Sequence, residues 1–119
     1  MMNAPVSIAL SSFLALPAFA AETTTYSCAF QTECYDDECA DSGYTADLKI
    51  TPTDIAMIAE WSDPSETVEL TSHTAEEGGT YLSDNRLLTL TADGQARYTV
   101  HFADPISAIT YIGACQRAQ

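Results

Sequence analysis

The chain has 119 residues, 17 of them acidic and 4 basic, for a formal net charge of -13 and a pI near 4.1. Nucleic acid and anionic lipid both need a cationic face, so they are unlikely partners by charge; a basic protein or a cation is favoured. Residues 1–20 carry no charged side chain, and the apolar run 6–16 is followed by Pro17 and Ala18-Phe19-Ala20. This is a signal-peptide pattern, too short and too interrupted for a spanning helix of about 20 residues. We therefore expect a signal peptide over 1–20 and a single exported all-β domain over 21–119. Its expected destination is the periplasm or the extracellular space, as a monomer with no membrane insertion after cleavage.

About one hundred residues suffice for one small domain that buries roughly two-thirds of its unfolded surface. Four cysteines in an exported chain of this size read as two disulfides, for which three pairings exist. Pairing Cys28 with Cys115 and Cys34 with Cys39 joins the first predicted strand to the last and pins a short acidic loop. The spacings lack the Cys-x-x-Cys pair of common zinc modules, so no metal centre is expected there.

In chain order, residues 24–31 alternate, with Tyr26, Cys28 and Phe30 on one face, as in a half-buried strand. The loop from Cys34 to Cys39 presents Asp36, Asp37 and Glu38 to solvent and is the first candidate for contact with a cationic partner. Residues 44–51 alternate cleanly, with Tyr44, Ala46, Leu48 and Ile50 on one side. Residues 51–54 resemble a helix cap, yet we take 55–61 as a strand that forms a hairpin with 66–72 through the turn cluster at Asp63-Pro64. Residues 76–79 open a flexible loop, 80–83 form a short strand and Asp84-Asn85 turns the chain. The next turn is better specified. If Ala92-Asp93-Gly94 is a three-residue loop with left-handed Gly94, Leu90 faces Ala96 and Leu88 faces Tyr98; a two-residue turn would put both leucines on the wrong side. Tyr98, Val100 and Phe102 should continue the buried face, Asp104-Pro105 should end that strand, and residues 107–115 should form the last. About eight strands in some ninety residues indicate a small antiparallel β-barrel or sandwich.

Catalytic signatures are weak, and no enzyme activity is expected. His101 alternates away from its apolar neighbours, so it should face solvent. Ser72, His73 and Asp84 could be assembled into a triad on paper, but no nucleophile-elbow motif supports them. Glu33, Asp36, Asp37, Glu38 and Asp41 are numerous enough to attract calcium, but their offsets do not match an EF-hand; a solvated acidic loop fits better. No cofactor motif is present.

Tyr26-Ser27-Cys28, Gly78-Gly79-Thr80-Tyr81, the turn at Thr91-Ala92-Asp93-Gly94 and the late cysteine resemble, in layout, the small periplasmic inhibitors of c-type lysozyme. The resemblance implies an eight-stranded barrel that engages a basic hydrolase, with Gly79, Tyr81 and Asp93 at the positions of the family's contact motifs. Two departures stand out. The family's Ser-Gly-x-x-Tyr is shortened here to Gly-Gly-x-Tyr, and Asp93 occupies a position where a lysine is expected. The reading adopted is thus a non-enzymatic acidic binding module. The alternative is a barrel that holds an apolar ligand or a cation among Tyr44, Trp61, Tyr98, Phe102 and Tyr111.

Overall fold

A computed structural model of the protein describes residues 22–72 and 79–118. The predicted signal peptide, His73, Glu76, Glu77 and Gly78 lie outside the described residues. Eight strands run in chain order: β1 (Thr24–Tyr35), β2 (Glu38–Pro52), β3 (Met57–Ser62), β4 (Thr67–Ser72), β5 (Gly79–Ser83), β6 (Arg86–Leu90), β7 (Gln95–Ala103) and β8 (Ile106–Arg117). Each pairs antiparallel with its neighbour, and β1 pairs with β8, closing the barrel. Closure pairs the strands of the barrel body on both sides.

The alternation seen in the sequence is the alternation of the wall. Phe30, Leu48, Ile50, Trp61, Leu70, Tyr81, Leu88 and Tyr98 are fully buried, and their neighbours along each strand point outward. An eight-stranded barrel is just wide enough for side chains to fill, and these eight do so. Cys28 and Cys115 are direct cross-strand partners, joined by a disulfide that links the first strand to the last. Gly113, opposite Phe30 on β8, permits that contact: a Cβ there would stand 2.1 Å from the Ala29 carbonyl oxygen.

The β6–β7 turn is the expected bulged one. Gly94 has φ +96°, Leu90 faces Ala96 and Leu88 faces Tyr98. Three expectations need correction. The stretch around Cys34–Cys39 is no separate loop, since both cysteines lie in strands as directly opposed, disulfide-bonded partners, and only Asp36 and Asp37 turn the chain. The strand taken over 55–61 is present as β3 but starts two residues later, at Met57: β2 runs to Pro52, and Thr53 accepts and donates hydrogen bonds with Ala56 to make a compact link. Phe102 does not continue the buried face and is 41% exposed, because the β6–β7 ladder ends at Arg86–Val100 and residues 101–103 run on beside β8 past the end of β6.

The strand directions give the barrel two distinct ends. Four tight turns, at 36–37, 63–66, 84–85 and 104–105, lie at one, hereafter the turn end. β1 begins and β8 finishes at the other, where the Ala118 N–H donates to the Thr25 carbonyl at 2.8 Å. The Asp104–Pro105 peptide is cis. At the turn end the wall is uneven. Residues 38–46 of β2 and 101–103 of β7 extend beyond their last partners on β3 and β6, and with β1 and β8 they form an overhanging four-stranded sheet. A register shift between Phe30 and Thr32 gives β1 one residue more than β8 and β2 one residue more than β1. That bulge resets the alternation, so Glu33 joins the inward row with Tyr111 while Cys34, with Cys39, moves to the outer face.

Candidate functional site

The turn end is the most chemically differentiated part of the molecule. Its floor is a packed set of aromatic rings. Tyr44 stacks on Tyr111 at 4.2 Å, Trp61 stacks on Tyr98 at 4.4 Å, and Phe30 lies beneath with its centroid 5.8 Å from Trp61. Trp61 and Tyr98 are buried, whereas Tyr44 and Tyr111 are half-exposed and form the visible surface of the mouth.

Register explains the polar network above the rings. Tyr44 lies on the overhanging part of β2, and its hydroxyl reaches the β3–β4 turn to donate to Asp63 Oδ2 at 2.5 Å. The same hydroxyl accepts from the Trp61 Nε1–H at 3.1 Å. Asp63 Oδ1 accepts from the Ser65 hydroxyl and from the backbone N–H groups of Ser65 and Glu66. Burial alone would raise the Asp63 pKa, but the bonds from Tyr44, Ser65 and Glu66 outweigh it and hold the carboxyl below the usual carboxylate range. Tyr44 is pushed far above the ordinary tyrosine value, first by burial and then by its bond to Asp63. Opposite, Arg86 at the start of β6 donates to Glu66 at 2.8 Å and to the Tyr98 hydroxyl at 3.0 Å. Burial raises the Tyr98 pKa although Arg86 opposes the shift, and Tyr111 is raised by burial and by the charges of Glu33 and Asp63. These phenols are therefore neutral hydrogen-bonding groups at neutral pH.

Carboxylates surround the mouth. Asp36, Asp37 and Glu38 stand at the β1–β2 turn, Asp63 and Glu66 at the β3–β4 turn, and Asp84 and Asp104 at the remaining two. Glu33 adds another on the inner wall, where Ser42 donates to it at 3.4 Å. Against them Arg86 is the one arginine or lysine at this end among the described residues, and Glu66 already pairs with it. Lys49 pairs with Glu60 on the outer face of β2 and β3, and Arg117 lies over Tyr26 at the opposite end. The turn end is thus a strongly negative surface around an aromatic floor.

The residues singled out from the sequence do not form one site. Asp36, Asp37 and Glu38 are exposed at the turn end, as expected, but Asp36 is also a structural residue. It adopts φ 56°, its N–H donates to the Ala108 carbonyl, and its carboxylate accepts from the Ala108 N–H at 3.0 Å, tying the β1–β2 turn to β8. Gly79 and Asp93 lie at the opposite end, where Gly79 pairs with Leu90 and Asp93 accepts from the Thr91 hydroxyl. Tyr81 is fully buried inside the barrel, so its side chain offers no contact surface. His101 is exposed, with its N–H bonded to the Asn85 carbonyl. Among the described residues no three His, Cys, Asp or Glu side chains converge as metal ligands, and no helix is long and apolar enough to cross a membrane.

Of the residues that organise the mouth, Tyr44 and Tyr111 are among the aromatic side chains singled out from the sequence, whereas Asp63, Glu66 and Arg86 carry little signal in the chain, because they meet only through strand register. The nearest clue is the turn cluster at Asp63-Pro64 just after Trp61. In class, the fold and its mouth define a closed antiparallel barrel, stapled by two disulfides, with one acidic aromatic end. No family model, curated protein or solved structure matches the chain.

Proposed function

We propose that the protein is an exported, non-enzymatic binding module whose turn end engages a basic protein. The observation that carries this reading is the gathering of carboxylates from all four turns around one end, with the sole local arginine already neutralised by Glu66. A field of that sign raises encounter rates with cationic proteins and opposes acidic ones. Disulfides at Cys28–Cys115 and Cys34–Cys39 fit an oxidising compartment, which supports export to the periplasm or beyond. The layout shared with the periplasmic lysozyme inhibitors makes a c-type lysozyme the first basic protein to try.

The opposed reading, a barrel that holds an apolar ligand or a cation, has less behind it: Trp61, Tyr98, Phe30 and their neighbours fill the described interior, and no three His, Cys, Asp or Glu side chains converge among the described residues. Lysozyme turnover and complex formation, measured with and without the protein at low and moderate salt, test the proposal. Complex formation that weakens as salt rises is expected; no complex and no inhibition at either salt refutes it.

A further inference from the structure

The overhanging sheet has an inner face that the barrel does not use. Tyr35 and Phe102 are 52% and 41% exposed there, and half-buried Val100 and Ile109 lie between them. Pairing of Glu33 with Tyr111, Tyr35 with Ile109 and Val100 with Ile109 sets these residues in one continuous row of inward positions leading down to the Tyr44–Tyr111 stack. The Tyr35 hydroxyl donates to Ser107 at 3.5 Å, which holds the ring against the sheet. Ser107, opposite Phe102, closes the row at the tip, and the exposed Ile106 beside it alternates onto the outer face. Large apolar side chains at this exposure, contiguous and rimmed by charge, mark interaction surfaces more often than chance scatter does.

Resting on the reading of a basic partner, we propose that this ledge is the contact surface itself. Its occupant is a segment of a basic protein in which an apolar side chain neighbours an arginine or lysine. The apolar group covers Phe102, Ile109 and Tyr35. The cation descends to Glu33 beside the half-exposed faces of Tyr44 and Tyr111, where a carboxylate and aromatic rings both favour positive charge. Three features select this occupant. The carboxylate rim is complementary to a cation and repels an anionic membrane. Arg86 is held by Glu66 and Tyr98, so it does not compete for Glu33. The inward row from Ser107 to Tyr111 spans about 14 Å of strand, longer than a small cation would cover but suited to a protein segment.

The test uses the mature protein with a c-type lysozyme as the basic probe, by titration calorimetry at two salt concentrations. The variants are Phe102→Ser with Tyr35→Ser, Glu33→Gln, and Glu60→Gln with Glu69→Gln on the outer wall. Unchanged emission from Trp61, the only tryptophan, verifies that each variant is folded. The ledge variant should weaken binding about tenfold or more and leave the salt dependence as it was. Glu33→Gln should weaken binding and flatten the salt dependence, and the outer-wall variant should leave both unchanged. If lysozyme binds but the ledge and Glu33 variants match the wild type, the ledge assignment falls while the basic-partner reading stands. If the wild type binds no lysozyme at either salt, both fall. Association with uncharged phosphatidylcholine vesicles in place of lysozyme also overturns the assignment.

Discussion

Removing the Tyr44 hydroxyl isolates the network that shapes the mouth. In Tyr44→Phe the ring keeps its stacking with Tyr111 and its contact with Phe30, so the change is confined to one oxygen. That oxygen is the acceptor for the Nε1–H of Trp61, a fully buried side chain, and the donor to Asp63. A buried donor left without its partner costs about 1–3 kcal/mol, whereas Asp63 keeps its three bonds from Ser65 and Glu66 and loses less. The expected destabilisation is about 2 kcal/mol, a fall in Tm on the order of 10 °C for a domain of this size. Urea unfolding followed by Trp61 fluorescence measures it directly. The pH dependence gives a second readout. Asp63 has a depressed folded pKa, so its contribution is present above the unfolded value of about 3.9 and is lost as pH falls through the folded one. Part of that contribution comes from Tyr44, so the gap between variant and wild type should narrow below about pH 4. A Tyr44→Phe protein within about 0.5 kcal/mol of wild type at pH 7 would refute the reasoning, because surface changes without such a role stay in that range.

Other consequences can be measured on the same preparation. Replacing Cys28 and Cys115 by serine should cost about 4–5 kcal/mol by the chain-entropy relation for a separation of 87 residues, and replacing Cys34 and Cys39 about 2 kcal/mol for a separation of 5, both read from denaturant midpoints. Gly113→Ala should be among the most damaging single substitutions, with little or no folded protein by circular dichroism, because its methyl group meets the Ala29 carbonyl and the Phe30 Cα in the β1–β8 pairing. Alkaline titration of tyrosinate absorbance should show Tyr44, Tyr98 and Tyr111 ionising late. Their raised folded values mean that their stabilisation is complete below about pH 10 and disappears as pH climbs through those values, so late ionisation should coincide with unfolding.

Much of the barrel was legible because a wall one residue thick imposes period two. Leu88, Leu90, Ala96 and Tyr98 fixed both the turn type and the register at Gly94, since only one pairing kept all four inside. The two disulfides followed from the same logic once Cys28 and Cys115 were placed on the first and last strands. The stretch from Cys34 to Cys39 reads as a loop in the sequence for the converse reason. It projects past the body of the barrel, so neither face must be apolar, and its strands carry acids that look like a loop. Phe102 was misplaced because alternation tells which face a side chain shares, not whether another strand stands opposite. The mouth was hidden more deeply. Tyr44 and Asp63 are nineteen residues apart and Glu66 and Arg86 twenty, and only the closed barrel brings them together.

The arrangement of the chain ends has a practical meaning. β1 starts and β8 finishes side by side, tied by the bond from Ala118 to Thr25, while every turn that builds the acidic mouth lies at the far pole. A tether, fluorophore or fusion joined next to Thr24 or Ala118 therefore leaves the barrel at the end away from the mouth. Immobilised through either handle, the molecule points its mouth away from the support, which makes it ready for display and capture without redesign.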